Sequence, residues 1–132
     1  MPLLTKCNIY SLADHICRGI YRYYNHITFD SKEKYHDFLF YRMCDSLNLI
    51  IVINKTKDIE VFFKEGSNLL IRTANNRLLE LKDSIKNFNT SIKIHTLSRD
   101  GYTKFKSFLK NINVCYLIVN GDSLKRFVTD AN

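Results

Sequence analysis

Four histidines, four cysteines and thirteen carboxylates are the groups with which this 132-residue chain could do acid–base, nucleophilic or metal chemistry. None falls into a pattern that such chemistry uses. His15, His26, His36 and His95 make no His-x-x-x-His pair, and Cys7, Cys17, Cys44 and Cys115 make no Cys-x-x-Cys pair or zinc-finger spacing. Asp14 precedes His15, but neighbours on a helix point apart. There is no Walker A loop, no Gly-x-Gly-x-x-Gly turn and no Gly-x-Ser-x-Gly elbow. A triad drawn from distant residues leaves no local signature, and nothing here argues for one. The sequence therefore predicts no enzyme, no cofactor and no bound metal. The four scattered cysteines read as free thiols of a reducing compartment.

Cations remain. Lysine and arginine outnumber the acids by 20 to 13, giving a net charge of +7 and a pI near 9.3. A balance of that size favours a polyanionic partner, nucleic acid or an anionic membrane surface. The cations are interleaved with aromatic residues. Arg18 and Arg22 stand among Tyr21, Tyr23 and Tyr24; Lys32 and Lys34 precede Tyr35; Lys104, Lys106 and Lys110 stand outward of Tyr102, Phe105 and Leu109; Lys125 and Arg126 precede Phe127. Cations supply phosphate contacts, and aromatic faces stack on exposed bases. The stretch HTLSRDGYTKF (95–105) adds Ser98, Arg99 and Gly101, read as a polar, positive corner in which Gly101 permits a tight turn and Arg99 holds the turn or reaches a phosphate.

The elements that position these groups follow from hydrophobic period. Leu12, Ile16, Ile20 and Tyr23 predict a helix over 9–24, with Asn8 as N-cap. A short strand follows at Ile27 and Phe29. Asp30 and Glu33 read as a capping box opening a second helix, with Tyr35, Phe38, Leu39, Met43 and Leu47 on one face. After residue 48 the period becomes that of strands: LNLIIVI (47–53), IEVFF (59–63), LLIRT (69–73), LLELK (78–82), SIKIHTL (91–97) and VCYLIV (114–119), with a short helix over 102–110. The NGD at 120–122 reads as a stop. No apolar run approaches the roughly 20 residues of a membrane span. The expected class is α+β: an N-terminal α/β lobe (1–80) with two helices and a small sheet, and a C-terminal lobe (81–132), mainly antiparallel β with a short helix.

Taken in order, these pieces resemble ribosomal protein S-eight, an RNA-binding protein of the small ribosomal subunit. SLADHICRGI is similar to the family's Ala-Asp-x-Leu-Thr-Arg-Ile entry helix through Ala13, Asp14, Ile16 and Arg18. ITFDSKEK is similar to its strand and Ser-Lys-x-Lys helix start through Thr28, Ser31, Lys32 and Lys34, and DSLNLI stands where its second helix gives way to a strand. TLSRDGY matches its Ser-Arg-Pro-Gly turn through Ser98, Arg99 and Gly101, with Asp100 in place of proline. RFVTDAN is similar to its Val-Met-Thr-Asp stretch through Val128, Thr129 and Asp130. The resemblance covers roughly 12–50 and 91–130. It implies a structural role in the small subunit, with small-subunit rRNA and neighbouring ribosomal proteins as partners. RNA contacts would fall at Arg18, Lys32, Lys34, Ser98, Arg99, Gly101, Ser123, Lys125 and Arg126. The family's Ser-Thr-Ser-Lys-Gly contact loop is replaced by NGDSLKR (120–126), which keeps Ser123 and Lys125. Contact there is expected to shift towards cationic positioning by Lys125 and Arg126.

Fourteen isoleucines, 13 lysines and 13 asparagines stand against 3 alanines and 4 glycines. That is the mark of A/T-rich coding. With no signal peptide or presequence legible at the start, it fits a protein encoded and used in an organelle, a mitochondrial ribosome before a plastid or an A/T-rich bacterium. Two rival readings stand beside this one: an RNA-binding α+β protein of the signal-recognition-particle Alu type, and a small enzyme or interaction protein of an A/T-rich virus.

Overall fold

The structure is a computed structural model that describes residues 6–25, 34–56, 58–66 and 92–130. The strands expected at 27–29, 69–73 and 78–82, the Asp30–Glu33 capping box and Lys32 lie outside those residues.

The first helix, α1, runs Lys6–Asn25, with Ile9, Leu12, Ala13, Ile16, Cys17, Ile20 and Tyr21 buried along one face. It begins before Asn8, which is therefore inside the helix rather than its cap. The second, α2, runs Lys34–Ser46. Its core face is rotated from the expected one: Phe40 and Cys44 are fully buried, whereas Phe38 is 59% exposed. Phe38 and Phe40 lie about 200° apart on the helix, so only one of them can face the core. Asn48 ends this unit with φ 47°, a left-handed residue of the kind asparagine tolerates after a helix.

Four strands follow: β1 (Leu49–Ile53), β2 (Ile59–Lys64), β3 (Ile92–Leu97) and β4 (Cys115–Val119). They form one mixed sheet of order β3-β2-β1-β4. The central strand β1 is antiparallel to both neighbours, pairing Ile51 with Val61 and with Leu117, and β2 runs parallel to β3. All five residues of β1 are buried, as an unbroken LIIVI run requires, since both faces are covered. In the β1–β2 turn, the Asn54 side-chain oxygen accepts the N–H groups of Thr56 (3.1 Å) and Asp58 (2.9 Å).

Two further helices complete the described residues: α3 (Arg99–Leu109) and α4 (Gly121–Asp130). One face of the sheet (Leu49, Ile51, Ile53, Val61, Phe63, Leu117, Val119) packs on α1, α2 and Leu124 of α4. The other (Ile50, Val52, Phe62, Leu97) packs on Tyr102, Phe105 and Leu109 of α3. The fold is α+β, with α3 on one side of the sheet and the other described helices opposite. The expected division at residue 80 runs through this sheet: β1 and β2 come from one side of it, β3 and β4 from the other. The strand β4 does stop before Asn-Gly-Asp, but the segment that follows is a helix, because Asn120 caps it, its side-chain oxygen accepting the Ser123 N–H at 2.8 Å. No helix among the described residues is long and apolar enough to cross a membrane.

Candidate nucleic-acid interface

The SRDG stretch is not a corner ahead of the helix expected at 102–110. It starts α3. Ser98 is the N-cap (φ −61°, ψ 166°), and its hydroxyl accepts the Gly101 N–H at 3.0 Å. Gly101 is thus the third helical residue, and a Cβ there would meet the Ser98 hydroxyl at 3.0 Å. The glycine serves a close approach, not the tight turn that the sequence suggested. Arg99 is the first helical residue. Its backbone N–H donates to Glu65 Oε1 at 3.4 Å, and Asp100 follows in the first turn. Two carboxylates therefore already answer the positive end of this helix. What Arg99 offers outward is its guanidinium, exposed and with no side-chain partner among the described residues.

From Arg99 a row runs down α3 at spacings of four, three and four residues: Arg99, Thr103, Lys106 and Lys110. At 100° per residue these four stay within about 60° of one another, on the flank of the helix adjoining the buried Tyr102 and Leu109. Lys110 keeps the helical track (φ −67°, ψ −19°). The three cations are spaced by about 10 and 6 Å along the axis at 1.5 Å per residue. Lys106 Nζ lies 5.9 Å from the centre of the Tyr102 ring. Lys104 stands on the other flank. From Ser98 to Lys110, four cations face a single carboxylate, Asp100. The helix is held to the sheet by Tyr102 and Leu109 and by Phe105, whose ring lies 4.5 Å from that of Phe62. Phe62 in turn stacks on His95 (4.5 Å, 15°), and His95 Nε2 sits 3.1 Å from Glu60 Oε1. Burial pushes the Tyr102 phenol up to about 12.

Arg18 is in different surroundings. Its guanidinium is bound by Asp14 (3.0 and 3.3 Å) and Asp37 (3.2 Å) and lies 4.3 Å over the Phe40 ring. Burial works against its charge, but the two carboxylates outweigh that and bind its proton more firmly than usual. Arg18 ties α1 to α2. Lys34 is the first residue of α2, and its side chain lies outside the description. Ser123 is buried and points into the fold. Lys125 and Arg126 are exposed on α4, with Lys125 Nζ 5.3 Å from the Tyr41 ring.

The structure therefore does not bring the expected RNA-contacting residues to one surface. Ser98, Arg99 and Gly101 lie on one side of the sheet, Arg18, Ser123, Lys125 and Arg126 on the other. The residues that join Arg99 are Lys104, Lys106 and Lys110. The sequence noted them as cations, and their spacing relative to Arg99 is the signal that unites them. Phe108 is 55% exposed on the same helix, outside the stripe of Tyr102, Phe105 and Leu109 that packs on the sheet, and the cation pattern does not reveal it. Among the described residues no group of three His, Cys, Asp or Glu side chains could hold a metal ion. Comparisons with protein-family profiles, with curated proteins and with solved structures find no match for this chain.

Proposed function

We propose that this chain is a structural RNA-binding protein without catalytic activity, and that α3 is its principal contact with RNA. The observation that carries this reading is the row Arg99, Lys106 and Lys110, exposed on a helix that is fixed to the sheet and carries one carboxylate of its own. Such a row suits a phosphate backbone, whose charges recur every few ångströms. Cations that already hold carboxylates, as Arg18 does, add little to affinity for an external anion.

The further proposal, that the RNA is small-subunit ribosomal RNA in a mitochondrial ribosome with other small-subunit proteins as neighbours, is supported by the order of the matched motifs and by the A/T-biased composition. It is separable from the first. The α3 row owes nothing to the matched motifs beyond Arg99, and the matched segment 98–101 and the segment 120–126 that stands in place of the family's contact loop both open helices.

Sedimentation of the native protein from its source tests both parts. Co-migration with small-subunit rRNA, released by raised salt, is the expected result. A soluble protein free of RNA, and one that does not bind RNA when purified, would overturn the reading. RNA binding without ribosome association would remove only its second part.

A further inference from the structure

We infer that α3 takes an unpaired stretch of RNA rather than a duplex, with one base stacked on Phe108 and the adjoining phosphate held by Lys104. The inference rests on α3 being an RNA-binding surface, and adds the class of RNA. Of the large apolar side chains exposed among the described residues (Tyr23, Phe38, Phe108), only Phe108 stands among this helix's cations. The Phe38 ring is covered by the Arg42 guanidinium at 5.7 Å. Phe108 has no ring or cation partner among the described residues. Lys104 is four residues earlier, on the same flank and about one helical turn away. Asn111 N–H donates to Phe108 O at 2.9 Å, closing the end of the helix, so the backbone that carries the ring is fixed.

An exposed phenyl gains nothing from the sugar–phosphate surface of a duplex, whose bases are stacked on one another. It gains from a splayed base, which presents a π-face whatever its identity. Cations alone do not distinguish the two forms, since both carry phosphates. The ring makes the difference. Phe108 and Lys104 stand on one flank of the exposed arc of α3 and the Arg99–Lys106–Lys110 row on the other, roughly a helix diameter of 10–12 Å apart. A single strand crossing the helix would leave a base on the ring and reach the row with its next phosphates.

The chain contains no tryptophan, so Phe108→Trp introduces a single fluorescent reporter at this position. The probes are an oligouridylate dodecamer and a self-complementary RNA duplex of equal length. The expected result is quenching of the tryptophan by the single strand and little by the duplex. Phe108→Ala should weaken single-strand binding by about tenfold, in the range that loss of one base–aromatic stack gives, with the salt dependence unchanged. Lys106→Ala with Lys110→Ala should instead reduce the salt dependence and leave quenching at saturation intact. Salt-dependent binding of both probes with no quenching and no effect of Phe108→Ala would overturn this inference and leave α3 as an RNA surface. Absence of binding to either probe would overturn both.

Discussion

Asp45 in α2 and Gly121 at the start of α4 meet across most of the chain: Asp45 Oδ1 accepts the Gly121 N–H at 2.7 Å. The contact leaves no room. A Cβ at position 121 would lie 2.7 Å from both Asp45 Oδ1 and the Tyr41 carbonyl oxygen. One carboxylate thus satisfies an orphan amide at the positive end of α4 and fixes how closely α4 approaches α2.

Gly121→Ala should therefore destabilise the fold by about 1–3 kcal/mol, as overpacking typically does. Asp45→Ala, which removes only the cap, should cost about 1 kcal/mol. Urea unfolding of the two variants checks the order. Two costs within about 0.5 kcal/mol of zero, the level of ordinary surface changes, would mean that α4 is not held here.

Arg18 should behave as a structural residue. Arg18→Ala removes a guanidinium shared by Asp14 and Asp37 and seated on Phe40, and should lower stability by about 1–2 kcal/mol. The salt dependence of RNA binding should not change. A reduced salt slope with unchanged unfolding would return Arg18 to the RNA-binding set.

Binding through Arg99, Lys104, Lys106 and Lys110 implies about four neutralised phosphates. For a single strand, the slope of log affinity against log salt should then be roughly −3, and Arg99→Ala should make it shallower by about 0.7. A titration from low to moderate salt measures both. Arg126→Ala, on the opposite side of the sheet, is the control and should leave the slope alone.

The Tyr102 phenol gives a test in alkali. An unfolded tyrosine ionises near 10 and Tyr102 in the fold at about 12. Between those values the unfolded chain has lost a proton that the native one retains, so its contribution to stability is complete below about pH 10 and falls as pH rises towards 12. Tyr102→Phe should make the loss of stability across that window less steep. Parallel curves for the two proteins would show that the phenol is not sealed between α3 and the sheet.

Much of this fold was readable because its elements advertise their burial. LIIVI permits little but a strand covered on both faces, and Leu12, Ile16 and Ile20 can share only a helical stripe, although Tyr23, expected to continue it, is 41% exposed. The errors arose where one residue supports two structures. Asn-Gly-Asp makes a turn, yet Asn120 also caps a helix, and what selects the helix is Asp45, 75 residues earlier in the sequence, together with Leu124 reaching the core. Ser-Arg-Asp-Gly is ambiguous in the same way, with Glu65 as the distant partner of Arg99. The Arg18–Asp14 pair was visible at its spacing of four, whereas Asp37, the partner that completes its neutralisation, comes from another helix. Charge shows in a sequence. Whether a charge is already spent does not.

The pairing of β1 with β4 has a consequence in time. On a translating ribosome β1 emerges first, and its free edge waits for a partner about 60 to 70 residues further on. At roughly 5–20 residues per second that is several seconds. Throughout that interval LIIVI, though paired with β2 on one side, is a strand of wholly apolar side chains whose other edge leaves its backbone groups unpaired, with α4 not yet synthesised to close the layer beneath it. The newborn chain therefore passes through a vulnerable interval that the finished molecule no longer displays.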